Sequence, residues 1–189
     1  MGHKLLLSLA FALTLAACAS KPEPGEGGPR ANIARDITVT LPVEPGYPEA
    51  VTYSQILRAR YGWRSATLET VLSLSPEIAE IVLTVPGGPR VATVRWNSEG
   101  VSVDRTVFTP PDLAPENMMA DIYIAFWPVD AVREMLPRGV VLDVVGERGR
   151  IVRQDDRVIL TIEADGENRL IIRNAELNYE LTIDSQALE

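Results

Sequence analysis

Apolar and polar residues alternate along most of the chain, and the alternation is interrupted once, near the middle. Ala79, Ile81, Leu83 and Val85 are interleaved with Glu80, Val82 and Thr84. Leu177, Tyr179, Leu181 and Ile183 are interleaved with Asn178, Glu180, Thr182 and Asp184. A period of two is the pattern of a half-buried strand. Comparable segments lie at 55–60, 65–73, 90–96, 101–108, 140–145, 150–154, 157–163 and 169–174. Turn signals separate them: Pro86-Gly87-Gly88-Pro89, Asn97 to Gly100, and Ala164 to Asn168. Ile37 to Leu41 reads as an early edge strand, limited by Pro42, Pro45 and Pro48.

The interruption, 113–137, has helical spacing. Pro115 suits a first helical position. Met118, Ile122 and Phe126 follow at intervals of four, with Met119 and Tyr123 beside them, so one side is apolar. Trp127-Pro128 breaks the helix, because proline disfavours a helical residue before it. A second short helix brings Val132, Met135 and Leu136 onto one face, and Pro137 and Gly139 end it.

About ten or eleven short strands joined by tight turns make an antiparallel meander, in a mainly β (α+β) fold. So many strands curl rather than lie flat. The concave apolar face then needs a cover, and 113–137 is the candidate, as a helical lid or plug. Either a cavity remains between lid and sheet, suited to an apolar ligand, or side chains fill the space.

The N-terminus changes the picture. Lys4 precedes a short apolar run, Leu5 to Ala17, which reads as a signal peptide over 1–17. Residues 18–48, rich in Pro, Gly and Glu, read as a modified Cys18 and a flexible tether. The folded domain is expected over 49–189. Leu15-Ala16-Ala17-Cys18 resembles the lipobox of bacterial lipoproteins, in which the cysteine becomes the lipidated first residue. The resemblance implies Gram-negative export and a membrane anchor on Cys18. No Asp follows the cysteine, so the expected address is the outer membrane, facing the periplasm.

Net charge is −8, with acidic residues scattered. No basic patch is evident, so nucleic acid is not an expected partner. The single histidine is His3 and the single cysteine is Cys18. This excludes His-dependent triads, Cys–His nucleophiles and Cys- or His-ligated metals in the mature chain. No cofactor or metal is expected, and the protein is not expected to be an enzyme. Asp104, Asp112 and Asp121 leave a carboxylate pair as the remaining catalytic possibility. Asp121 lies in an apolar stretch. It either reaches solvent or is a buried acid satisfied by backbone N–H groups that fix the lid. Arg58, Arg60 and Arg64 read as a solvated strand face.

The segment Met119 to Leu136 also resembles a family of short bacterial lipoproteins of unknown function. Asp121, Trp127, Pro128 and Leu136 match its mid-chain motif, and Tyr179 matches a tyrosine in a late strand. Asn97 to Gly100 departs from the Asp-Gly turn that relatives tend to carry. Members are often encoded in fatty-acid-synthesis-like clusters that make aryl polyene pigments. They are similar in outline to the LolA/LolB lipoprotein carriers, an unclosed β-barrel with a helical lid over an apolar cavity. The resemblance implies binding of an acyl or polyene-lipid chain, with envelope transport proteins as partners. The expected lining is Leu83, Trp96, Met118, Met119, Ile122, Phe126, Trp127 and Leu181. The competing expectation is a scaffold lipoprotein of an envelope or export complex, with a filled core.

Overall fold

A computed structural model describes residues 27–110 and 113–188. The expected signal peptide, Cys18, Asp112 and the first part of the expected tether lie outside the described residues. Twelve strands and two helices are present: β1 (Arg30–Asn32), β2 (Thr38–Thr40), β3 (Val51–Tyr61), β4 (Arg64–Leu74), β5 (Ala79–Thr84), β6 (Arg90–Asn97), β7 (Gly100–Arg105), α1 (Pro115–Phe126), α2 (Val129–Met135), β8 (Val140–Val145), β9 (Gly149–Gln154), β10 (Arg157–Ala164), β11 (Arg169–Asn174) and β12 (Tyr179–Leu188).

Ten strands form one antiparallel sheet in the order β7-β6-β5-β4-β3-β12-β11-β10-β9-β8. The chain enters at the centre, walks outward to β7, crosses through the helices to β8, and walks back inward to β12. β3 and β12 then pair from Thr52–Leu188 to Tyr61–Tyr179. The sheet is open, with β7 and β8 as its edges. α1 packs against β7 and α2 against β8, so the helices cover the two edge strands. Arg105 ties the crossover down by donating to the Pro110 and Leu113 carbonyls at 3.1 and 2.9 Å.

Alternation decides which face is buried. In β5, Ala79, Ile81 and Leu83 are buried while Glu80, Val82 and Thr84 are half-buried. The opposite face of β3, β12, β11 and β10 carries a ladder of ion pairs. Arg58 and Arg169 flank Asp184, and Arg60 and Arg173 flank Glu180, with Arg173 also reaching Glu163. Such exposed pairs are worth about 0–1 kcal/mol each. Arg58 and Arg60 thus lie on a solvated face, and Arg64 stacks over Trp63.

Two expectations are corrected. Residues 30–36 were expected within the tether and 37–41 as an early edge strand; together they form the β1–β2 hairpin and its flanks. Ala31, Ile33, Ala34, Ile37, Val39 and Leu41 are buried there. The three residues of β1 offer too few alternations to be read from sequence. The second correction follows from the first. α1 was expected to be apolar on one side, but Met119 to Ala125 are all buried. The sheet covers one side of the helix and the hairpin the other, and a helix buried all round shows no stripe. Asn117 Oδ1 accepts the Asn32 backbone N–H at 2.8 Å, fastening hairpin to helix.

Candidate functional site

The expected lining residues mostly meet one another. Leu83, Trp96, Met119, Ile122 and Trp127 are buried, and Met118, Phe126 and Leu181 are half-buried. Trp127 follows from its neighbour: Pro128 forces it out of helical geometry, and its ring turns inward. It stacks on Tyr123 at 4.8 Å between centroids, meets Tyr47 edge-on at 4.9 Å, and lies 6.0 Å from Trp96. Its indole N–H donates to the Pro45 carbonyl at 2.6 Å. Trp96 is equally buried, but its indole N–H has no protein partner among the described residues. Aromatic rings therefore occupy much of the space between helices and sheet.

Asp121 is buried within this layer. Its Oδ2 accepts the Tyr179 hydroxyl at 2.6 Å. Asn174 continues the chain, donating to the Tyr179 oxygen at 3.4 Å and to the Ile33 carbonyl at 2.9 Å. The acid is thus satisfied by a side chain from the sheet rather than by backbone N–H groups. Burial pushes its pKa up to about 7, against the lowering effect of the tyrosine bond. Burial beside the carboxylate raises the Tyr179 pKa as well. The three residues join α1, the central strands and the N-terminal hairpin. Asp104 pairs with Arg90 at 2.6 Å on an exposed surface, so it and Asp121 have separate partners.

Open space lies at one end of the sheet. The pairing of β9 with β10 stops at Arg150–Ile162. Beyond it, β9 stays with β8 as far as Gly149–Val145, and β10 stays with β11 as far as Ala164–Leu170. Gly149 permits the tight β8–β9 tip, because a Cβ there would lie 2.4 Å from the Val145 carbonyl oxygen. A cleft of about 820 Å³ lies between the two hairpin tips. Val145, Ile151, Ile162 and Ala164 give it apolar walls. A second cleft of about 400 Å³ adjoins it, sharing Glu147, Arg148 and Glu167. Tyr47, Tyr53, Phe126 and Arg150 line this one. Of the eight residues expected from sequence, Phe126 lines the second cleft, and the other seven line neither of these two.

Arg150 is half-buried and donates to the Ile124 carbonyl in the last turn of α1. That turn has no basic residue of its own. A cation there complements the carbonyl end of the helix. Burial lowers the Arg150 pKa, and attraction to Tyr47 where that hydroxyl ionises acts against it. Arg148 donates to the Glu167 carbonyl across the cleft. Neither arginine forms an ion pair among the described residues, unlike Arg153, Arg157, Arg169 and Arg173 nearby. Sequence reasoning missed both arginines and both tyrosines. Arg150 looks like any polar position of an alternating strand, and Tyr47 sits among prolines.

The model of a family described as a protein of unknown function matches residues 52–187, the span from β3 to β12 with both helices. The β1–β2 hairpin lies outside the match. No curated protein matches the chain. Among the described residues no group of His, Cys, Asp and Glu is arranged to hold a metal, and no helix is long and apolar enough to cross a membrane.

Proposed function

The chain belongs to the DUF3261 family of proteins of unknown function, and from its geometry we propose an outer-membrane lipoprotein that binds an acyl or polyene-lipid chain. Anchored through Cys18 and facing the periplasm, it would serve as an accessory to lipid or lipoprotein delivery. The observation that carries this reading is the apolar cleft at the end of an open sheet. Its 820 Å³ falls within the usual range for small-molecule sites, about 300–1,000 Å³.

The mechanism is passive. The ligand's tail lies against Ile151, Ile162 and Val145 between the two hairpin tips. Each Å² of apolar surface removed from water contributes about 25 cal/mol. α1 stays in place, since the hairpin and the Asp121–Tyr179 bond fix it from both sides. Cargo enters and leaves by the cleft and passes along an affinity gradient to partner proteins of the envelope. The similarity in outline to the LolA/LolB carriers supports the same reading as an analogy of fold.

A second reading has its own observation. The packing of Trp96, Tyr123, Trp127 and Tyr47 suits a scaffold lipoprotein that works through its surface. Native mass spectrometry of the full chain, extracted gently from its own envelope, separates the two. A co-purifying lipid or polyene that is lost in Ile151→Glu supports the carrier. A chain that carries no ligand, and takes up none when fatty acids are added, supports the scaffold.

A further inference from the structure

The two adjoining clefts differ in character, and the difference points to the shape of the ligand. The larger is walled by Val145, Ile151, Ile162 and Ala164. The smaller is lined by two arginines and two tyrosines. They meet at Arg148, which lines both. Arg148 closes the β8–β9 turn and Arg150 lies in β9 itself, and both line the smaller cleft. Arg150 is half-buried and has no carboxylate partner among the described residues, so an anion beside it would find an uncompensated cation. Its guanidinium has five N–H donors in a fixed fork, and the Ile124 carbonyl is its one partner among the described residues. Tyr47 and Tyr53 border the same space, and a tyrosine hydroxyl can donate to an oxyanion. Glu147 and Glu167 also border it, exposed on hairpin tips as Arg148 is, so water screens all three, whereas Arg150 is half-buried.

We propose that Arg148 and Arg150, with Tyr47 and Tyr53, form a head-group site for a single-chain amphiphile ending in a compact oxyanion, a carboxylate or a phosphate monoester. The inference rests on the carrier reading above and adds the polar end of its ligand. The oxyanion sits in the smaller cleft against the guanidinium forks, which match it in geometry. The tail passes Arg148 into the larger cleft. Arg150 thereby serves two partners, holding the end of α1 and receiving the ligand.

The test is a competition read by native mass spectrometry on the full chain, held in a non-ionic detergent that is stripped in the gas phase. Dodecanoate, dodecyl phosphate and dodecanol are offered at equal concentration, with inorganic phosphate as a fourth probe. The expected result is retention of the two anionic amphiphiles over dodecanol by roughly tenfold, equivalent to one charge-assisted contact. Inorganic phosphate should not be retained. Arg148→Gln should bring the ratio close to one while dodecanol binding is unchanged. Arg150→Gln should do the same, but it also releases α1, so Arg148→Gln decides the matter. Equal retention of all three amphiphiles by the unaltered chain would overturn the head-group site and leave the carrier standing. Retention of inorganic phosphate as strong as that of dodecyl phosphate would overturn the amphiphile in favour of a plain anion site. Retention of no amphiphile at all would remove the carrier reading beneath it.

Discussion

The Tyr179 hydroxyl, at the start of the last strand, donates to the Asp121 carboxylate in the middle of α1 across 2.6 Å. The bond is buried, and Asn174 extends it to the N-terminal hairpin. Removing the donor leaves a desolvated carboxyl group without this partner. Tyr179→Phe is therefore expected to destabilise the fold by about 1–3 kcal/mol. Urea unfolding followed by tryptophan fluorescence measures it. Asp121→Asn keeps an acceptor for the hydroxyl and should cost less. Equal costs for the two variants would show that the hydroxyl bond itself carries little.

The same acid makes stability depend on pH. Its folded pKa of about 7 lies above the 3.8 of an ordinary aspartate because burial outweighs the hydrogen bond. The folded state then holds the proton more tightly than the unfolded chain does. Its contribution is full below about pH 4 and is lost as pH rises to about 7. The difference corresponds to on the order of 4 kcal/mol. Asp184 and Glu180, lowered by their arginine partners, act with the opposite sign and lose their contribution as pH falls through the acid range. The comparison to make is therefore unaltered chain against Asp121→Asn between about pH 5 and pH 8. The gap between them should shift in favour of the variant up to about pH 7 and level off above it, and a constant gap would contradict the raised pKa.

Truncation should reveal the role of the hairpin. A chain beginning at residue 49 lacks Ile33, Ile37, Val39 and Leu41, and the outer side of α1 meets water. It should melt well below a chain beginning at residue 27 and should bind a hydrophobic dye. Equal melting temperatures would show that the hairpin adds nothing to the core.

The two buried tryptophans should respond differently. Trp127→Phe loses the bond to the Pro45 carbonyl as well as ring area, whereas Trp96→Phe removes an indole N–H without a protein partner. Trp127→Phe is expected to cost more, by about 1 kcal/mol, the net worth of a typical hydrogen bond. Chemical denaturation of both variants checks the order.

Charge placed at two of the four α1 positions once expected to line a cavity should also give different results. Ile122 lies inside the buried run of the helix, so Ile122→Glu is expected to unfold the protein, as an unpaired buried charge does. Phe126 borders the smaller cleft and is half-buried, so Phe126→Glu should fold and weaken uptake of an anionic amphiphile. Circular dichroism and the competition assay read the two effects.

The strands of the sheet were legible wherever six or more residues alternate, as in β5 and β12, because a period of two persists whatever the neighbours are. α1 was legible from Pro115 and from Trp127-Pro128, whose backbone preferences are local. β2 was legible as an edge strand at 37–41, but its partner at 30–32 was not, since three residues beside glycine and proline look like any polar linker. That omission propagated: without the hairpin, α1 looked like a one-sided lid, and Asp121 had an exposed side to face. Asp121 and Tyr179 were singled out separately by resemblance to a lipoprotein family, yet no periodicity could say that they touch. Arg150 carries no local mark either, because its importance comes from where β9 parts from β10.

The strand order has a consequence for how the molecule assembles. β3 to β7 form one meander and β8 to β12 another, each built from neighbours in sequence. Hairpins of this kind close quickly, since little loop entropy is lost. The ladder between β3 and β12 is the step that brings distant parts of the chain together, and it runs down the middle of the finished sheet. Each half can take shape from its own neighbouring strands. The slow event is the zipping of a central seam, guided by the crossover helix that both halves must enclose.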